Sequence, residues 1–116
     1  MVGVRFFKVQ PEKLDRLRAW MAELARRDEE VRETFRQETV RHELAYLIEG
    51  PAGPILVYLI EAEDLEQAAR TARESHLPID LEHRRVMAEV LSDPVGADCL
   101  LDIALDPPNR PATRRG

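Results

Sequence analysis

The chain has one cysteine, Cys99, so no internal disulfide can form, which fits a reducing, cytoplasmic setting. It has no apolar run long enough to cross a bilayer, and Met1–Gln10 shows no signal-peptide pattern. It has no basic excess. A net charge of −5 and a pI near 5.2 argue against nucleic acid, because phosphate binding needs clustered Lys and Arg. A glycine-rich phosphate loop, a paired CxxC, an HExxH helix and a serine nucleophile elbow are all missing. No cofactor, nucleic acid or membrane partner is therefore expected.

What is present is enough for one domain. The 116 residues are 44% apolar and 34% charged, which supports a core and a charged surface. The architecture is organised around Gly53–Ala62 (GPILVYLIEA). This apolar, β-branched run is bounded by turn residues and charges, the pattern of a strand buried on both faces. Residues 1–106 read as a single domain. Residues 107–116 read as a Pro/Arg-rich flexible tail, mobile or extended on a neighbour.

Along the chain, Val2–Val9 forms a first strand that Gln10-Pro11 stops. Pro11 suits a first helical position, where its missing N–H costs nothing. Leu14, Leu17, Met21 and Leu24 follow at helical spacing, with Trp20 beside them and Glu23–Arg27 as an i,i+4 ion pair. Asp28 falls on the stripe and predicts a break, with a second helical piece over about 29–37. Val40–Glu49 is a second strand, and the Gly50–Pro54 turn cluster joins it to the central run as a hairpin. Asp64 reads as an N-cap with Gln67 as its capping-box partner, ahead of a small face of Leu65, Ala68, Ala69 and Ala72. Ser75–Pro78 interrupts. Pro78 opens a helix whose inner stripe is Ile79, His83, Val86, Met87 and Val90, and Asp93–Gly96 ends it. Asp98–Leu105 (DCLLDIAL) reads as the last strand, with Cys99 as a small buried hydrophobe.

The order strand, helix, strand, strand, helix, strand predicts a ferredoxin-like α+β fold, βαββαβ, with a four-stranded antiparallel sheet. Right-handed crossovers put both helical segments on one face and make the first and third strands central. Yet apolar residues point both ways. Leu44, Tyr46 and Ile48 oppose Ala45 and Leu47, and Ile55, Val57 and Leu59 oppose Leu56, Tyr58 and Ile60. A lone domain would leave one apolar face wet, so a homodimer packed sheet against sheet is expected, forming a dimeric α/β barrel. The alternative is that the tail or the piece after Asp28 covers that face.

Phe6-Phe7-Lys8, Pro11-Glu12-Lys13-Leu14, Glu61-Ala62-Glu63-Asp64 and Ser75 to His83 together resemble an uncharacterised bacterial family of small dimeric α/β-barrel proteins. The likeness spans most of the chain before the tail. More distantly the layout is similar to L-rhamnose mutarotases and antibiotic-biosynthesis-type monooxygenases. That resemblance implies a shared fold, a dimer and a strand running into an acidic helix start. No active-site motif of either maps onto this chain residue by residue, and a fold does not carry a function.

Candidate chemistry rests on polar residues in apolar surroundings. Asp80 and His83 lie three apart on one helix, and His76 precedes them. Two imidazoles and a carboxylate suit a divalent metal, though the spacing matches no zinc signature. Otherwise Asp80 charges its helix start and pairs with Arg84, while His83 is a core histidine. His42 and Glu43 sit on opposite faces of the second strand. Whichever faces the helices is expected to meet His83 as an acid–base pair. Tyr58, Arg5 and Glu61 complete a ligand-binding set, with Arg5 expected to pair with Glu61 or Glu43. The cleft between sheet and helices thus suits a small-molecule enzyme of mutarotase, isomerase or cofactor-free oxygenase type. The alternatives are a non-catalytic binding or interaction module, or a metal site at His76, Asp80 and His83.

Overall fold

A computed structural model of the chain describes residues 1–105; the expected tail lies outside the described residues. Strand β1 spans Val2–Val9, and a 3-10 turn at Pro11–Lys13 leads into helix α1, Leu14–Arg26. Helix α2 covers Asp28–Glu38, strand β2 Val40–Gly50 and strand β3 Gly53–Ala62. Helices α3 (Leu65–Glu74) and α4 (Pro78–Val90) then lead into the short strand β4, Leu91–Val95. The strands form one antiparallel sheet in the order β2-β3-β1-β4, the ferredoxin-like arrangement, with β3 and β1 central as expected.

Local chemistry sets the boundaries. The Asp64 side chain accepts the Gln67 N–H at 3.1 Å, so the Asp64 half of the capping box forms. Pro78 begins α4 at a position where no N–H is needed. The expected break falls at Arg27, which leaves helical geometry at φ −101°, ψ 41°. Its guanidinium bonds Glu30 and Glu82, both at 2.8 Å, with Glu23 at 3.7 Å, tying the break to α4. This pairing raises the Arg27 pKa and lowers those of Glu30 and Glu82. Thr39 closes α2 in the left-handed region, φ 58°. The β2–β3 hairpin turns on Pro51-Ala52, with Gly50 opposite Gly53 and Gly53 at φ 101°, a conformation that favours glycine.

The last strand is a correction. Asp98–Leu105 has no regular structure and is exposed, and Cys99 is exposed with it. The strand is instead Leu91–Val95, pairing Leu91 with Val9, Pro94 with Phe7 and Val95 with Phe6. Residues read as a helix stop thus enter the sheet. Pro94 is tolerated because β4 is an edge strand, where one row of N–H groups has no ladder partner. The entry is held from below: Gln10 N–H donates to the Val90 carbonyl at 2.9 Å, and Gln10 Nε2 to Glu89 O at 2.9 Å and Leu91 O at 3.3 Å.

The two sheet faces differ. On the front, under the helices, Val9, Leu17, Trp20, Leu56, Tyr58, Ile79, Val86 and Val90 form the main core. A smaller cluster joins Val40, Ala62 and Ala68. Register sends Val4, Leu44 and Leu59 to the rear, with Phe6, Tyr46 and Val57 beside them. Much of that rear is open: Val2, Val4, Leu44, Tyr46 and Ile48 are 67, 46, 40, 57 and 49% exposed, while Val57 at its centre is buried.

Candidate functional site

The front face is filled at one end and open at the other. Large side chains from α1 and α4 pack over Leu56. Over Arg5, Tyr58 and Ile60 the roof is α3, whose inner face is Ala68, Ala69 and Ala72, and the floor at Gly3 has no side chain. Small residues on both sides leave a cavity of about 540 Å³ between the sheet, α2, α3 and α4. Its walls are mainly apolar, and the polar groups among them include Arg5, Glu38, Glu43, Tyr58, Asp80 and His83, with Thr34, Arg73 and Arg84 beside them, the composition typical of small-molecule sites.

His83 is fixed from behind. Trp20 Nε1–H donates to His83 Nδ1 at 2.9 Å, and the two rings stack with centroids 6.1 Å apart and planes 30° apart. An Nδ1 that accepts is unprotonated, so the neutral ring carries its proton on Nε2. Burial lowers the His83 pKa; Asp80 opposes this, and Arg84 adds to it. The imidazole is thus a neutral N–H donor aimed at the Tyr58 hydroxyl, 3.5 Å away. Phe7 meets Tyr58 edge-on at 6.4 Å. Burial, with Glu43 nearby, pushes the Tyr58 phenol up, so it stays protonated.

Two carboxyls face this pair. Burial, then the negative charges of Asp80 and Glu43, pushes Glu38 up to about 7, with Thr34 Oγ1 3.5 Å from its carboxyl and opposing the shift only when its one proton turns from the nearer Asp80. Burial also pushes Glu43 up to about 7. Glu38 is only 8% exposed, whereas Glu43, on the β2 edge, is partly open to water. Asp80 is held separately, accepting from Thr34 Oγ1 and, at 2.5 Å, from Ser75 Oγ. Arg84 does not pair with it. Its guanidinium bonds the Ala72 and Ser75 carbonyls at 2.5 and 2.7 Å, closing the C-terminal end of α3.

Of the expected site residues, the structure gathers Asp80, His83, Glu43, Tyr58 and Arg5 around the cavity. It separates the rest. His42 lies opposite Glu61 in the register while Glu43 lies opposite Ile60, so His42 and Glu61 face the rear and neither meets His83. Arg5 cannot pair with Glu61 across the sheet. Glu61 has Arg41 at 3.9 Å, and no ion pair joins Arg5 to Glu43 among the described residues. His76 is exposed in the α3–α4 link, outside the cavity. Among the described residues no three His, Cys, Asp or Glu side chains come close enough to hold a metal ion, so the metal reading at His76, Asp80 and His83 lacks its geometry.

Glu38 is the residue that sequence reasoning missed. Its signal was present: Val31, Thr34, Phe35 and Glu38 follow i, i+3, i+4, i+7 spacing, which sets a carboxyl and a hydroxyl on the buried stripe of α2.

One antiparallel sheet with its crossover helices on a single face places the chain in the ferredoxin-like α+β class. Within that class it belongs to the family of unknown function DUF6176, which matches residues 2–111. No curated protein and no solved structure matches the chain. Among the described residues, no helix is long and apolar enough to cross a membrane.

Proposed function

We propose that this chain is a homodimeric cytoplasmic protein that binds a small, mainly apolar molecule bearing hydroxyl or carbonyl groups, and that it moves a proton on that molecule in the manner of an isomerase or mutarotase. The observation that carries this reading is the mainly apolar cavity on whose wall Glu38 and Glu43, whose carboxyls burial pushes up to about 7, stand with a protonated phenol and a neutral imidazole. A group titrating near the working pH is effective both as acid and as base. Glu43, which lines the cavity without a side-chain partner among the described residues, takes the proton-transfer role. Tyr58 and the Nε2–H of His83 orient a ligand oxygen. Arg5 supplies positive charge for an oxyanion formed on proton removal. His83 is a positioning residue, not the base, because its accepting nitrogen is committed to Trp20.

That same commitment favours the second reading, a non-catalytic binding module, since it removes the histidine base that the sequence suggested. Homodimerisation is supported by the apolar, exposed rear face. The test is a carboxyl-carbon NMR titration of the full chain, combined with a ligand-observed screen of small hydroxylated and carbonyl compounds. The expected result is two glutamate carboxyls titrating near 7, with hits that shift the Tyr58 and His83 resonances and lose affinity in Glu43→Gln. Glutamates that all titrate near 4.5, with no hit at the cavity, would contradict both readings. Hits whose bound form is never converted, at any pH between 5 and 9, would leave the binding module.

A further inference from the structure

Residues 98–105 combine two properties that conflict within one copy of the chain. In extended form their pattern has a period of two, with Cys99, Leu101, Ile103 and Leu105 on one side and Leu100, Asp102 and Ala104 on the other. They contain neither proline nor glycine. That is a strand sequence with one apolar face, yet Leu100, Leu101, Ile103 and Leu105 are 92, 76, 81 and 98% exposed and pair with nothing.

The sheet holds a matching vacancy. The outer edge of β2 runs for 11 residues with no neighbouring strand among the described residues, and the side chains next to it on the rear, Leu44, Tyr46 and Ile48, are apolar and exposed. A long, exposed, apolar edge is a template for another strand. In its own copy the arm would spend much of its length crossing the sheet before it could pair. It leaves the sheet beyond β4, at the far side of the order β2-β3-β1-β4, roughly 14 Å from β2 at one strand spacing per step. Two other stretches are open among the described residues, β1 at Val2–Arg5 on the β4 side and the outer edge of β4 at Leu91–Val95; both are shorter than the arm, and Pro94 interrupts the second.

From these observations we infer that residues 98–105 of each copy add as a fifth strand to the free β2 edge of the other, an inference that rests on the homodimer proposed above. Two sheets packed rear to rear about a two-fold axis running along the strands set β4 of one copy over β2 of the other. The arm then has only the gap between layers to cross. Its Leu101, Ile103 and Leu105 side turns toward Leu44, Tyr46 and Ile48 and extends the apolar layer between the sheets. The exchange closes the β2 edge of each copy and covers eight otherwise unpaired residues in each.

The test is a nitroxide label on the full chain carrying Cys99→Ser and Ala104→Cys, read by continuous-wave electron paramagnetic resonance, with light-scattering mass on the same sample. The expected result is a dimer with an immobilised label, which becomes mobile when Tyr46→Asp is added. The pair Leu101→Asp and Ile103→Asp should weaken the dimer at least tenfold. A dimer with a freely mobile label overturns the exchange and leaves the homodimer standing. A monomer with a mobile label removes both, and a monomer with an immobilised label places the arm on its own chain.

Discussion

The front and rear of the sheet are built from the same strands and the same residue types, but they meet different surroundings. On the front, Leu56, Tyr58 and Ile60 lie under helices that supply Trp20, Val86 and Ile79, and polar groups are drawn into a cavity where the middle of α3 presents alanines, with Leu65 and Arg73 at its ends. On the rear, Leu44, Tyr46 and Ile48 lie open. Composition alone does not separate an internal core from a surface awaiting a partner. What separates them is whether another element of the same chain can reach.

Substitutions matched across the sheet sharpen this contrast. Leu56→Ala, at a fully enclosed front position, is expected to cost about 2–5 kcal/mol of unfolding free energy whatever the protein concentration. Ile48→Ala on the rear should cost little in dilute solution and more as concentration rises, because the proposed homodimer makes its contacts between copies. Denaturant unfolding at two concentrations a hundredfold apart measures both. Equal, concentration-independent losses at the two positions would erase the distinction.

The second contrast is in pH. Glu38 has a folded pKa of about 7 against 4.5 for the unfolded chain, so between those values the folded state binds the extra proton. Its contribution is complete below about 4.5 and is lost as the pH rises through about 7, up to about 3 kcal/mol. His83 works in the opposite direction. Its lowered folded pKa makes the native state resist the proton, so its contribution is present above the unfolded value of 6.5 and falls away below it. Glu38→Gln is expected to reduce the acid-favouring slope between pH 4.5 and 7, leaving the share that Glu43 contributes and the opposing histidine slope, as read by unfolding free energy against pH.

The smallest effect concerns the cavity floor. A methyl group at Gly3 would lie 3.1 and 3.2 Å from the two Leu65 methyls. Gly3→Ala is expected to cost about 1 kcal/mol as Leu65 gives way, and to weaken ligand binding if that side chain moves into the cavity. Thermal unfolding and the screening hits together measure this.

Much of the fold was legible because local rules and tertiary needs agreed. Asp64, Pro78, the hairpin turn and the break beside Asp28 act through neighbours in sequence, and each falls where the pattern set it. The final strand was not legible. DCLLDIAL has the better strand pattern, but chain geometry places Leu91–Val95 beside β1, because α4 ends there and Gln10 staples the exit. In the site, Tyr58 and His83 were legible from their places on apolar stripes. Choosing between His42 and Glu43 needed the register, which no local signal at either residue specifies. His76 and Asp80, four apart, read as neighbours, but the link before Pro78 carries the imidazole away from the helix face.

The most direct test of the two-faced account is sedimentation equilibrium of the full chain and of Tyr46→Asp at micromolar concentration. The account expects the full chain at twice its 13.3 kDa mass and the variant at a single chain mass, still folded and still with its front cavity able to bind the screening hits. A full chain that sediments as one copy, with its rear face open to water, would contradict it.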